Sequence, residues 1–150
     1  MKTPTIRGIN PREIDVAGLL GPEAAHSPII EMALNSYNTY WGLVDEGNLG
    51  IIYLTPITDV RIHVGIIPTV ELKKDTADAF AEALSDHIHS TELKEGETVR
   101  LESTVPVPYK MLSRVFAKAG FSREGTLQRS VRYGDGLVNQ TLWGLVLCHS

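Results

Sequence analysis

Two periodicities alternate along this chain. From Asp75 to His89, the apolar residues Ala77, Phe80, Ala81, Leu84 and Ile88 recur at intervals of three and four, which places them on one face of an α-helix. Asp75 stands where it can cap that helix, and Asp78 lies near its positive end. From Thr98 to Val105 the interval drops to two. Val99, Leu101, Ser103 and Val105 point one way and Arg100, Glu102 and Thr104 the other, the pattern of a half-buried strand. A strand following a helix in this manner implies a parallel crossover. Upstream, Tyr40 to Val44, Leu49 to Leu54 and Val60 to Ile67 are rich in β-branched and aromatic residues. Turns at Glu46-Gly47-Asn48 and from Thr55 to Asp59 separate them, which predicts a three-stranded antiparallel meander.

The remaining segments follow from their breakers and caps. Thr5 to Ile9 is β-prone and runs into Asn10, Pro11 and Glu13, which suit the cap and first turn of a short helix ending near Leu20. Gly21-Pro22 interrupts the chain, and Glu23 to Tyr37 carries Ala24, Ala25, Met32 and Ala33 in a pattern compatible with a second helix, broken at Pro28. After the Thr98 strand, Pro108 opens a helix through Ala119, with Met111, Leu112, Val115 and Phe116 on its apolar side and Gly120 as its stop. The tail reads as a hairpin, Thr126 to Tyr133 and Leu137 to Leu147 around Gly134-Asp135-Gly136. The order is β-α-α-β-β-β-α-β-α-β-β, one α/β domain over residues 1–150 without repeats or a linker. Leu142, Trp143, Leu145, Val146 and Leu147 make both faces of the last strand apolar, to be covered by the protein's own helices or used in self-association.

Composition narrows the function classes. A chain of 150 residues, 43% hydrophobic and 21% charged, can build one globular core without staples. The balance of 14 basic to 18 acidic side chains, with no basic run, argues against a nucleic-acid partner. No apolar run approaches the ~20 residues that span a bilayer, so no membrane role is expected. The single cysteine, Cys148, and an N-terminus without an export-type apolar region point to the reducing cytoplasm. His87, His89 and Asp86 lack the geometry of a metal set, and no phosphate-loop or nucleophile-elbow motif occurs.

Three segments near the C-terminus carry a resemblance. Ser113-Arg114-Val115-Phe116-Ala117-Lys118-Ala119-Gly120-Phe121, then Glu124-Gly125-Thr126-Leu127, then Trp143-Gly144-Leu145-Val146 resemble the end of a ribosomal-protein-type N-acetyltransferase. With the element order, they make the chain similar to the GNAT (Gcn5-related N-acetyltransferase) superfamily. The resemblance implies a single-domain α/β acyl-CoA N-acyltransferase fold, with a mixed, mostly antiparallel central sheet flanked by helices. A weaker resemblance, by size and architecture, is to small acetyltransferase-like proteins of tailed bacteriophages, some packaged in virions.

The same resemblance shows where chemistry has been lost. In the family, acetyl-CoA binds where the fourth strand meets the next helix, its pyrophosphate held by a glycine-rich loop whose bare backbone approaches the phosphates. The corresponding stretch here is Ile67-Pro68-Thr69-Val70-Glu71-Leu72-Lys73-Lys74-Asp75, which has no glycine and carries two carboxylates. A family tyrosine acting as general acid falls at Phe116, which has no proton to give. The Asn that often begins this helix falls at Tyr109, and an acidic residue of the last strand falls at Asn139. The remaining catalytic candidates are His63 and Glu102 as bases and Tyr109 as a phenol. The candidate cofactor contacts are Val64, Ile66, Ile67, Thr69, Val70, Lys73 and Lys74. The expectation is a degenerate, non-catalytic binding or structural module with a protein partner or self-association, possibilities that include a virion-associated protein. The alternative is an active N-acetyltransferase that moves acetyl from acetyl-CoA to an amine through a divergent loop.

Overall fold

Strands dominate the described part of the chain, and the sheet they build positions the site. The computed structural model describes residues 5–10, 33–34, 38–44, 49–90 and 96–148. Its strands are β1 (Ile6–Gly8), β2 (Tyr40–Val44), β3 (Gly50–Pro56), β4 (Arg61–Pro68), β5 (Thr98–Pro106), β6 (Ser122–Tyr133) and β7 (Gly136–Cys148). Helix α1 (Lys74–His89) joins β4 to β5, and α2 (Lys110–Lys118) joins β5 to β6. All seven strands form one sheet in the order β1-β2-β3-β4-β5-β7-β6. Every pairing is antiparallel except β4 with β5, the expected crossover through α1. This is the single α/β sheet flanked by helices that the sequence predicts. The two helices predicted between Asn10 and Tyr37 fall almost wholly outside the described residues.

Helix α1 buries the stripe its periodicity announces: Ala77, Phe80, Ala81, Leu84 and Ile88 all lie in the main core. Its start differs from expectation. Lys73, not Asp75, is the N-cap residue. The Lys73 amide donates to the Thr76 hydroxyl at 2.7 Å, and the Asp75 carboxylate accepts from the Thr76 amide at 2.9 Å. Asp75 therefore neutralises a first-turn donor from inside the helix, where its charge also suits the dipole. At the far end, His87 stacks on Tyr40 with ring centroids 4.9 Å apart, tying α1 to β2.

Helix α2 begins two residues later than Pro108 suggests. Val107 and Pro108 form a turn, and the Tyr109 and Lys110 amides go back to the Pro106 and Pro108 carbonyls. Tyr109 is then the N-cap. The helix stops as predicted: Gly120 takes φ of +101°, a conformation that costs other residues, and Phe121 returns its amide to the Phe116 carbonyl at 3.0 Å. Arg114 of α2 grips Asp78 of α1 through two hydrogen bonds, at 2.7 and 3.0 Å.

The sheet divides the interior. Val44, Ile52, Val64, Val99, Leu101 and Val105 face the helices in the main cluster. Ala33, Trp41, Ile51, Tyr53 and Ile67 form a smaller cluster on the opposite face. Between them the sheet is incomplete. β4 and β5 pair only at Arg61↔Arg100, Ile62↔Leu101 and His63↔Glu102. Beyond His63, β4 stays bound to β3 as far as Pro68 and β5 to β7 as far as Pro106, but the two strands part company.

Phe80 is fully buried under this sheet. Phe80→Ala is expected to lower stability by about 3–5 kcal/mol, read as a reduced urea midpoint. Val146→Ala, at a position 53% exposed, is expected to stay within about 0.5 kcal/mol.

Candidate functional site

The parting of β4 from β5 leaves a cavity of about 280 Å³ between them, with α2 as a third wall. Gly65 and Ile66 of β4, Ser103 and Val105 of β5, and Leu112 and Phe116 of α2 are among its lining residues. It continues outward. A groove of about 390 Å³ between the β4–α1 loop and the start of α2 shares Tyr109 and Leu112 with it. A third space, of about 290 Å³ beside Arg61 and Glu102, shares His63, Ser103 and Thr104. The three make a channel with two necks. Because His63 and Gly65 alternate with the helix-facing Val64 and Ile66, the channel passes from the helix side of the sheet toward the other.

His63 stands at the inner neck and is 8% exposed. Burial lowers its pKa to about 4, against the opposing field of Glu102. The imidazole is neutral near pH 7. Beside it lies Tyr53 of β3, its ring centroid 5.8 Å away, and burial raises the phenol to about 12, so it keeps its proton. Tyr53 reaches the cavity only because residue 65 is glycine. A Cβ there would fall 1.9 Å from the tyrosine ring and 2.4 Å from its hydroxyl.

Glu102 is differently placed. Its carboxylate accepts from Arg61 Nη2 at 2.5 Å and Arg100 Nε at 2.9 Å, and it faces the third space rather than the central cavity. Burial pushes its pKa up, but the two guanidinium hydrogen bonds outweigh that and hold it below the usual range. Arg100 is itself bound by Glu124 through both terminal nitrogens. Glu102 and His63 thus meet in one space, but Glu102's lone pairs are committed to two cations. Tyr109, 48% exposed, lies at the outer neck, and Tyr133 from the hairpin packs edge-on to it at 5.7 Å.

The expected cofactor contacts separate into three groups. Ile66 lines the central cavity and Val70 the outer groove. Val64 and Ile67 have core side chains, one under the helices and one in the opposite cluster, so what they offer the gap is the backbone of the β4 edge that is unpaired with β5 beyond His63. Thr69 sends its amide to the Leu49 carbonyl at 3.1 Å, and Lys73 and Lys74 sit at the start of α1 outside the groove lining. Two amides of that helix start are taken from within, Lys73 by the Thr76 hydroxyl and Thr76 by the Asp75 carboxylate, whose negative charge opposes an anion there.

Two further positions explain altered motifs. Phe116 is buried, lines the cavity and packs on Phe121 at 5.1 Å, so an apolar ring stands at the wall where a phenol was expected. Asn139 accepts the Arg129 amide at 2.8 Å, and Arg129 has φ of +46° in a bulge of β6. The Asn139 side chain is spent on holding that backbone turn. Tyr53 and Gly65 escaped sequence reasoning, because only the β3–β4 register, which pairs them, brings them together. Among the described residues no cluster of His, Cys, Asp or Glu suits a metal ion.

No protein-family model matches the chain, and no curated protein sequence does. Solved structures do. A GNAT family acetyltransferase from Elizabethkingia anophelis with acetyl-CoA bound superposes with a TM-score of 0.70 at 15% identity, covering 98% of this chain and 100% of that one. The GNAT acetyltransferase from Streptococcus pneumoniae gives 0.64 at 17% identity, with 96% and 99% covered. Spermidine/spermine N-acetyltransferase SpeG from Vibrio cholerae gives 0.65 at 14% identity, with 96% and 92% covered. The chain has the GNAT fold.

The buried neutral His63 has a measurable signature. Unfolded, it takes up a proton near pH 6.5; folded, only near 4. The unfolded state therefore binds the extra proton between those values, and stability falls as pH drops through that window, by on the order of 3 kcal/mol for a shift of this size. In urea titrations from pH 7.5 to 4.5, His63→Gln is expected to flatten this decline, so that wild type and variant converge at low pH.

Proposed function

We propose that this chain, with its GNAT fold, is a binding module that takes an acyl-pantetheine arm into the channel between β4 and β5 without efficient acyl transfer. The observation that carries the reading is the loss of β4–β5 pairing after His63, which keeps the channel open where an extended ligand can lie between two strand edges. Such a ligand alternates amides with short apolar links, and the strand edges offer backbone hydrogen bonds to the amides.

Three features support binding over turnover. Phe116 cannot protonate a departing thiolate. Glu102 is held ionised by two arginines and is not poised as a base. The start of α1, which in a nucleotide-binding role would receive a pyrophosphate, has no glycine, carries the Asp75 carboxylate, and has its Lys73 and Thr76 amides already bonded to its own side chains. A protein partner or a second copy would then read the bound state, in the cytoplasm or in a phage particle.

One observation favours the second reading, an active N-acetyltransferase. The neutral His63 and the Tyr109 phenol stand at the two necks of one cavity, a base and an acid that could serve a transfer there.

Thermal unfolding with acetyl-CoA, CoA and S-acetylpantetheine separates these readings, since a ligand at about a hundred times its Kd adds about 2.7 kcal/mol of stability. The expected result is a saturating shift from S-acetylpantetheine close to that from acetyl-CoA, because the nucleotide end finds no phosphate cradle, and no acetylation of amines. Turnover with a small amine panel would replace this reading by the enzyme. Absence of any shift at millimolar ligand would leave a scaffold without a ligand.

A further inference from the structure

The central cavity is mostly apolar, with a few uncharged polar groups set into its wall. Its polar lining comes from Tyr53, His63, Ser103, Thr104, Tyr109 and Gln140, with no Asp, Glu, Lys or Arg among the described lining residues. Gln140 is already engaged, its Nε2 donating to the Thr104 hydroxyl at 3.3 Å. Tyr53 and His63 are not. Both are more than nine-tenths buried, and no protein partner for the Tyr53 hydroxyl or for either His63 ring nitrogen occurs among the described residues.

The residues are buried but their polar atoms are not sealed in: the indole nitrogen of Trp143 is the one buried side-chain polar atom without a partner among the described residues, so the Tyr53 hydroxyl and the His63 ring nitrogens open onto the cavity, where water or a ligand can satisfy them. Tyr53 also depends on its cross-strand neighbour for this position. The residue opposite it in the β3–β4 ladder is Gly65, and any side chain there would displace the ring.

We infer that Tyr53 and His63 form a neutral recognition pair for the carbonyl of a ligand's acyl group, the Tyr53 O–H donating to the carbonyl oxygen and His63 lining the neck beside it. The inference rests on the channel reading above and specifies which end of the ligand is recognised. The phenol is the right donor, because burial keeps it protonated across the physiological range. The neutral imidazole adds no charge that would favour an anion. A cationic end is poorly matched, since the nearest carboxylate, Glu102, faces the adjoining space and is shared by Arg61 and Arg100.

The test compares two probes that differ only in the carbonyl: acetyl-CoA and its thioether analogue S-ethyl-CoA, titrated calorimetrically into wild type and Tyr53→Phe. Wild type is expected to bind acetyl-CoA about tenfold more tightly, the worth of one desolvated hydrogen bond. Tyr53→Phe is expected to erase that difference while leaving S-ethyl-CoA affinity unchanged. Equal binding of the two probes by wild type, or a preference that survives in Tyr53→Phe, overturns the pair. If wild type binds neither probe, the channel reading itself fails and takes this inference with it. Should the variant not fold, the wild-type Tyr53 and His63 ring resonances decide the matter. A larger shift with acetyl-CoA than with S-ethyl-CoA supports the pair, and identical shifts overturn it.

Discussion

Hydrogen bonding between neighbouring strands is obligatory in a buried sheet, and this sheet interrupts it at one place. After His63, β4 and β5 no longer share a ladder. Each remains fixed by the strand on its other side, so the split is a property of the whole sheet rather than a frayed edge. The crossover helix α1 ties the two strands together above the split, and α2 closes one side of it. The two helices are locked to each other by the Arg114–Asp78 pair. Core packing under α1 and the gap between the strands are therefore two sides of one arrangement.

Charge is organised around the gap and not inside it. Arg61, Glu102, Arg100 and Glu124 form a chain of ion pairs across β4, β5 and β6. It spans the point where β4 and β5 last pair, clamping the closed end of the split. Partly exposed pairs of this kind add little to stability singly, but they fix the positions of the side chains that face the third space. The polar groups described in the central cavity are uncharged side chains, and at Tyr53 and His63 burial is the larger influence on protonation, opposed at His63 by the field of Glu102.

The sequence made the regular elements legible because their physics is local. The three-and-four spacing of α1, the alternation of β5 and the glycine stop of α2 all survive in the structure. Where expectation shifted, a neighbouring group took over a local role. Lys73 stands at the N-cap in place of Asp75, its amide held by the Thr76 hydroxyl, and the turns after Pro106 and Pro108 delay α2 until Lys110. His63 and Tyr109 were visible as chemistry-bearing residues, and both border the cavity. Glu102 was visible too, but its two arginines were not, because Arg61 lies 41 residues away in the chain. Tyr53 and Gly65 could not be paired from sequence, since neither residue type at its position signals anything until the strand register is known.

The bulge in β6 has a mechanical consequence. Arg129, held in a left-handed conformation by Asn139, bends the hairpin so that Val131 lines the cavity and Tyr133 rests on Tyr109. A substitution at Asn139, whose side chain lines none of the three spaces, would reach the cavity wall only through this hairpin, by way of Val131 and Tyr133.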